Sequence, residues 1–170
     1  MTDTQASPTA LRDALEALSN KCVAFWLQVI EAQLACTPPF DGGYVNAGLW
    51  ASSACPVYQE DATASLSPGV FRRFFAQAGP KVWEIYPQGI LHLHSAGLQH
   101  LSIILHATPP PVVEVNLDPA GPTVEELEPA FRQVQERTRL EILGVREQIA
   151  DCKRRLGAAG TAYWILEETP

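Results

Sequence analysis

Two imidazoles and a row of acidic and amide side chains carry the chemistry this sequence offers. In 89–95, GILHLHS, His92 and His94 stand two residues apart. In 112–118, VVEVNLD, Glu114, Asn116 and Asp118 alternate with Val113, Val115 and Leu117. In extended chain a spacing of two places side chains on one face, so both segments read as strands, the second with one polar and one apolar face. A histidine beside a carboxylate is a general acid–base pair tuned near neutral pH. The same groups can instead bind a divalent ion, because imidazole with carboxylate suits zinc. His92, Glu114 and Asp118 are therefore the candidate catalytic residues. His92 and His94 are the candidate metal ligands, with zinc as the candidate cofactor.

These strands need elements that aim them. A helix starts at Ser7–Pro8, a cap followed by proline at the first helical position. Its apolar stripe runs through Leu11, Leu15, Leu18, Cys22, Phe25 and Val29, and Thr37–Pro38–Pro39 ends it. A strand over 43–47 follows, with Tyr44 and Asn46 on one face, and then a long connection from Gly48 to Ser67. Connections of that length in a compact domain are commonly functional. Trp50 and Tyr58 offer it flat faces, and Glu60 and Asp61 polar contacts. With Asn46 and Asn116, the residues Trp50, Tyr58 and Glu60 make the candidate substrate-binding set.

Ser67–Pro68 opens a helix bearing Val70, Phe71, Phe74 and Phe75, with Gly79–Pro80 expected to close it. A helix over 98–106 carries His100 and His106, both read as solvated. Thr123 with Glu126 forms a capping box, 140–143 is a short strand, a helix ends at Gly157, and 161–166 is the last strand. Strict alternation of strand and helix implies an α/β fold with about five parallel strands. No glycine-rich phosphate loop follows the early strands, which disfavours a dinucleotide-binding domain. An open sheet and part of a (β/α)8 barrel both fit. In a barrel the polar faces would point inward and the strand ends would line the C-terminal mouth, where such barrels keep their active sites.

The chain has 170 residues, 46% hydrophobic and 18% charged, with a net charge of −7. Residues 1–8 read as a tail and 9–170 as one domain. The acidic balance, without a Lys/Arg cluster, argues against nucleic-acid and membrane partners. Cys22, Cys36, Cys55 and Cys152 include no C-x-x-C pair, so reduced thiols in a cytoplasmic protein are expected. No signal peptide or membrane span is expected.

Three stretches resemble the C-terminal half of the uroporphyrinogen decarboxylase-like superfamily. They are the Gln59–Glu60–Asp61 segment leading into Ser67–Pro68, the HLHSAG strand end, and NLDPAGPTVEEL. That superfamily contains lyases that decarboxylate porphyrinogens in porphyrin biosynthesis and zinc-dependent, corrinoid-linked methyltransferases. The resemblance implies a partial (β/α)8 TIM barrel, with this chain supplying its last five strands. It implies a uroporphyrinogen decarboxylase-like function, a shortened form with weak or no activity being one outcome. The alternatives it leaves are a metal-dependent methyltransferase-like protein and a non-catalytic binding module. In the methyltransferase branch the matching strand carries His-x-Cys, so His92 matches and His94 takes the cysteine's place. Open sheet edges at 43–47 and 161–166 would invite pairing, which points to a homodimer or a complementary half-barrel chain.

Overall fold

A computed structural model describes residues 7–166. The first six residues of the expected tail, and 167–170, lie outside the described residues. The order is α1 (Pro8–Cys36), β1 (Tyr44–Asn46), β2 (Leu49–Ala51), β3 (Val57–Gln59), α2 (Pro68–Phe74), α3 (Ala78–Ile85), β4 (Ile90–His94), α4 (Leu101–His106), β5 (Val112–Asn116), α5 (Val124–Gln135), β6 (Arg139–Gly144), α6 (Arg146–Leu156) and β7 (Thr161–Ile165). Two 3-10 segments, Asp61–Ser65 and Ser95–His100, follow β3 and β4 directly. No described helix is long and apolar enough to cross a membrane.

Five strands form one parallel sheet in the order β3-β4-β5-β6-β7, alternating with helices. The register aligns Gln59, His92, Glu114, Glu141 and Ala162 in one row, and His94, Asn116, Leu143 and Trp164 in the next. The alternate positions Leu91, Leu93, Val113, Val115, Leu140 and Ile142 pack with Leu127, Phe131, Val134, Ile149 and Cys152 of α5 and α6. That packing is the core, and it leaves the polar rows on the sheet's other face. Caps fix the helix starts. Ser7 accepts from the Ala10 N–H at 3.2 Å, and Thr123 and Glu126 form the expected capping box.

The expected strand at 43–47 is not part of this sheet. Tyr44–Asn46 pairs antiparallel with Leu49–Ala51 in a separate hairpin. Its two turn residues, Ala47 and Gly48, both have positive φ (47° and 75°), the turn that suits the twist of a two-residue hairpin. A Cβ on Gly48 would lie 2.3 Å from the Trp164 ring, so the hairpin tip rests on β7. The open edge next to α1 is β3 instead, a strand hidden in the expected loop because it is only three residues long.

Three further expectations are corrected. The Leu11–Val29 stripe of α1 faces away from the domain, with Leu11, Leu18, Phe25 and Val29 exposed. Val23 and Ile30 are the buried residues of α1, with Trp26 and Leu27 packed beside the core. Gly79–Pro80 does not close the second helix. It lies in the first turn of α3, where a proline's missing N–H is no loss. His100 is not solvated but 1% exposed. Its ring stacks on Phe71 at 4.4 Å, and Nε2–H donates to the Thr63 carbonyl at 2.8 Å. His106 is exposed, as expected.

Candidate functional site

The polar rows converge where β3, β4 and β5 end. Strand β4 directs His92 and His94 to one face, and the 3-10 turn after β3 brings Asp61 beside them. Asp61 Oδ1 lies 4.0 Å from the Nε2 atom of each imidazole. One donor atom from each of the three residues lies within 4.8 Å of the others. Tetrahedral donors ~2.1 Å from a zinc ion stand ~3.4 Å apart. Small side-chain rotations therefore close this set around an ion.

The other ring nitrogens are already committed. His92 Nδ1–H donates to Glu114 across the β4–β5 register. His94 Nδ1–H donates to Asp118 Oδ1 at 2.6 Å. These bonds leave each Nε2 with its lone pair free, the tautomer a metal ligand needs, and carboxylates in this position orient such ligands and raise their basicity. Asp118 is itself held at Oδ2 by the Ser95 hydroxyl at 3.0 Å and the Ala96 N–H at 3.2 Å. A Cβ on Gly121 would lie 2.6 Å from Ser95 Oγ, so a residue without one is needed where the loop after β5 closes on this knot.

Electrostatics follow from the contacts. The hydrogen bond to Glu114 raises the His92 pKa above the usual histidine value, against burial and with help from the charges of Glu114, Asp61 and Asp118. Burial alone would raise Asp118, but the bonds from His94, Ala96 and Ser95 outweigh it and leave its pKa lowered. Next in the row, Glu141 is wholly buried with no hydrogen-bond partner on either oxygen. Burial and then the neighbouring Glu114 charge push its carboxyl up to about 7. Asn116, beside His94 in register, keeps a buried and unpartnered Oδ1.

Of the expected residues, His92, His94, Glu114, Asn116 and Asp118 come together, while Asn46, Trp50, Tyr58 and Glu60 do not join them. Asn46 is exposed on the hairpin and accepts from the Ala47 N–H at 2.9 Å. Trp50 donates to the Phe40 carbonyl at 3.2 Å and borders a cleft with Ile90, Val112 and Arg139, at the opposite end of the strands. Tyr58 turns to the helix side, with its ring 5.2 Å from Trp26 and 6.1 Å from Trp83. Glu60 lies among Phe71, Phe75 and Trp83, where burial pushes its carboxyl up to about 7. Consecutive residues of an extended strand face opposite ways, so the turn that sends Asp61 to the histidines sends Glu60 to the core.

Two residues at the site carry roles that sequence reasoning did not give them. Asp61 read as a polar loop contact, and a short strand that places it leaves almost no periodic signal. Glu141 interrupts the apolar run LEIL at a strand's alternate position, and that charge was the available cue. Comparison with family models, curated proteins and solved structures gives no match.

Proposed function

We propose that the chain is a metal-dependent domain of the uroporphyrinogen decarboxylase-like kind, in which Asp61, His92 and His94 hold one divalent ion, zinc by preference. One arrangement carries this reading: both imidazoles have Nδ1 bound to a carboxylate while both Nε2 atoms face a third carboxylate. Imidazole and carboxylate donors suit zinc. When bound, such an ion acts as a Lewis acid that lowers the pKa of a coordinated water or thiol. The chain's own residues do the rest. Glu114 and Asp118 fix the ring tautomers, and Ser95 with the Ala96 amide fixes Asp118. Asn116, beside His94 in register, leaves a buried acceptor oxygen without a partner at the edge of this cluster.

Within that superfamily, the donor set favours the methyltransferase-like branch over porphyrinogen decarboxylation. A substrate with several carboxylates needs cations, and Arg72 and Arg73 lie elsewhere. Arg72 borders a groove with Ser102 and His106, and Arg73 sits over Phe74 beside Glu16 and Lys81. In the decarboxylase reading, the His92–Glu114 pair works as acid–base and a complementary half-barrel chain supplies the arginines. The parallel sheet, with helices on one face and polar rows on the other, is what the C-terminal half of a (β/α)8 barrel would present.

The test is metal content. Protein purified without chelators is expected to carry close to one equivalent of zinc. In its place cobalt(II) should give the visible absorption of a low-coordinate N/O site. His92→Ala and Asp61→Ala should each abolish both signals with the far-UV circular dichroism unchanged. A protein that takes up neither zinc nor cobalt would refute the metal reading and leave the His92–Glu114 and His94–Asp118 pairs as acid–base candidates.

A further inference from the structure

The solvent-facing side of α1 has a regularity that the domain does not use. Leu11, Leu15, Leu18, Cys22, Phe25, Val29, Ala32 and Cys36 follow one another at steps of four, three, four, three, four, three and four residues. That is an unbroken coiled-coil repeat along 25 residue steps of a 29-residue helix, ~38 Å of seam. Leu11, Leu18 and Phe25 are 57%, 57% and 68% exposed, and Cys22, Val29, Ala32 and Cys36 are exposed as well. A surface helix normally turns one apolar stripe inward. This helix already does so with Val23, Trp26 and Ile30, so the heptad seam is a second stripe.

We infer that α1 pairs with α1 of a second copy, antiparallel, about a two-fold axis through its middle. The size pattern sets both the occupant and the direction. Antiparallel register puts Leu11 against Cys36 of the second copy, Leu15 against Ala32, Leu18 against Val29 and Cys22 against Phe25. Every layer then joins a large side chain to a smaller one, as a close-packed seam requires. Parallel register stacks Phe25 on Phe25 next to a layer of paired cysteines and stacks Ala32 on Ala32 two layers further on, so the widest and narrowest layers fall close together. The flanking positions agree with self-pairing. In the antiparallel register Arg12 meets Gln33 and Lys21 meets Gln28, so no like charges are opposed. A contact ~38 Å long and ~10 Å wide covers ~380 Å² per partner, about half of the ~800 Å² per partner typical of specific dimers, which fits a dimer of micromolar affinity. The two faces of such an interface are the same patch, so it closes at two copies.

Sedimentation equilibrium on the full chain tests the pairing. A dimer is expected at micromolar concentration. Phe25→Glu should weaken it by roughly 30-fold or more, as loss of a central apolar anchor does, with the far-UV circular dichroism and the metal content unchanged. Leu18→Glu should do the same and guards against an effect peculiar to one site. Direction is read by oxidative cross-linking. Leu11→Cys should give a covalent dimer through Cys36 of the second copy, and Leu11→Cys combined with Cys36→Ser should not. A monomer at these concentrations, or a dimer indifferent to both glutamates, overturns the inference. Cross-linking of the unaltered chain through Cys22 and Cys36, or of the double variant through position 11, overturns the antiparallel register. Because α1 lies outside the metal cluster, none of these outcomes depends on the metal reading.

Discussion

Replacing Glu141 by Gln removes a titration that the fold opposes, and the effect should grow with pH. The carboxyl is wholly buried, without a partner on either oxygen, and sits beside Glu114 in the β5–β6 register. Its pKa rises from 4.5 in an unperturbed carboxyl to about 7 in the fold. Between those values the folded state keeps a proton that the unfolded chain has lost. With more protons bound in the folded state, stability falls as pH rises. At ~1.4 kcal/mol per pKa unit, the shift from 4.5 to about 7 is worth about 3 kcal/mol once both states are ionised. Glutamine is neutral throughout, so the variant escapes this loss. Urea unfolding at pH 5 and pH 8 measures the difference. The wild type should lose most of this ~3 kcal/mol relative to Glu141→Gln. The pKa values of Glu60 and His92 are also raised, so both groups act with the same sign, but both remain in the variant and the difference isolates position 141. If the two proteins lose stability equally between the two pH values, the proton is not on Glu141 and the reasoning fails.

Asp118→Asn should lower zinc affinity by about 10–100-fold while leaving Asp61 and both histidines in place, as measured by competition with a chromophoric chelator. Gly48→Ala should cost roughly 1–3 kcal/mol, because the new Cβ meets the Trp164 ring in a left-handed turn; a melting temperature equal to wild type would show that the hairpin tip does not rest on β7. Phe131→Ala should cost about 3–5 kcal/mol, since Phe131 is fully buried between α5 and the sheet; calorimetry reads the loss.

The chemistry-bearing strands were legible because a period of two is a strong signal over five residues, and His92, His94, Glu114, Asn116 and Asp118 fall on one face as that period demands. The helix starts were legible for a similar reason, since Ser7–Pro8, Ser67–Pro68 and Thr123–Glu126 are local hydrogen-bonding arrangements. What failed depended on tertiary context. Strand β3 has three residues and exists because β4 offers it an edge to pair with. The stripe on α1 was correctly read as apolar, but apolar spacing cannot say which of two stripes faces the domain. His100 closes a 3-10 segment rather than lying in the helix expected from 98, and that change of pitch rotates its ring onto Phe71.

Charge connects the site to the proposed ion. Asp61, Glu114 and Asp118 converge on two imidazoles, and burial with the Glu114 charge pushes the Glu141 carboxyl up to about 7. Without a cation, these three carboxylates face only the two imidazoles, and their charges help to raise the His92 pKa. A buried carboxylate left uncompensated is expensive, and Glu141 shows the fold's remedy where nothing else helps: a raised affinity for its proton. The Nε2 atoms of His92 and His94 and the Asp61 carboxylate stand where a divalent ion would replace that remedy with two positive charges. A proton on His92 Nε2 and a metal there compete for one lone pair, so metal uptake and proton release become a single event. The Glu114 bond that raises the His92 pKa thus strengthens the ligand and sharpens its competition with protons at low pH.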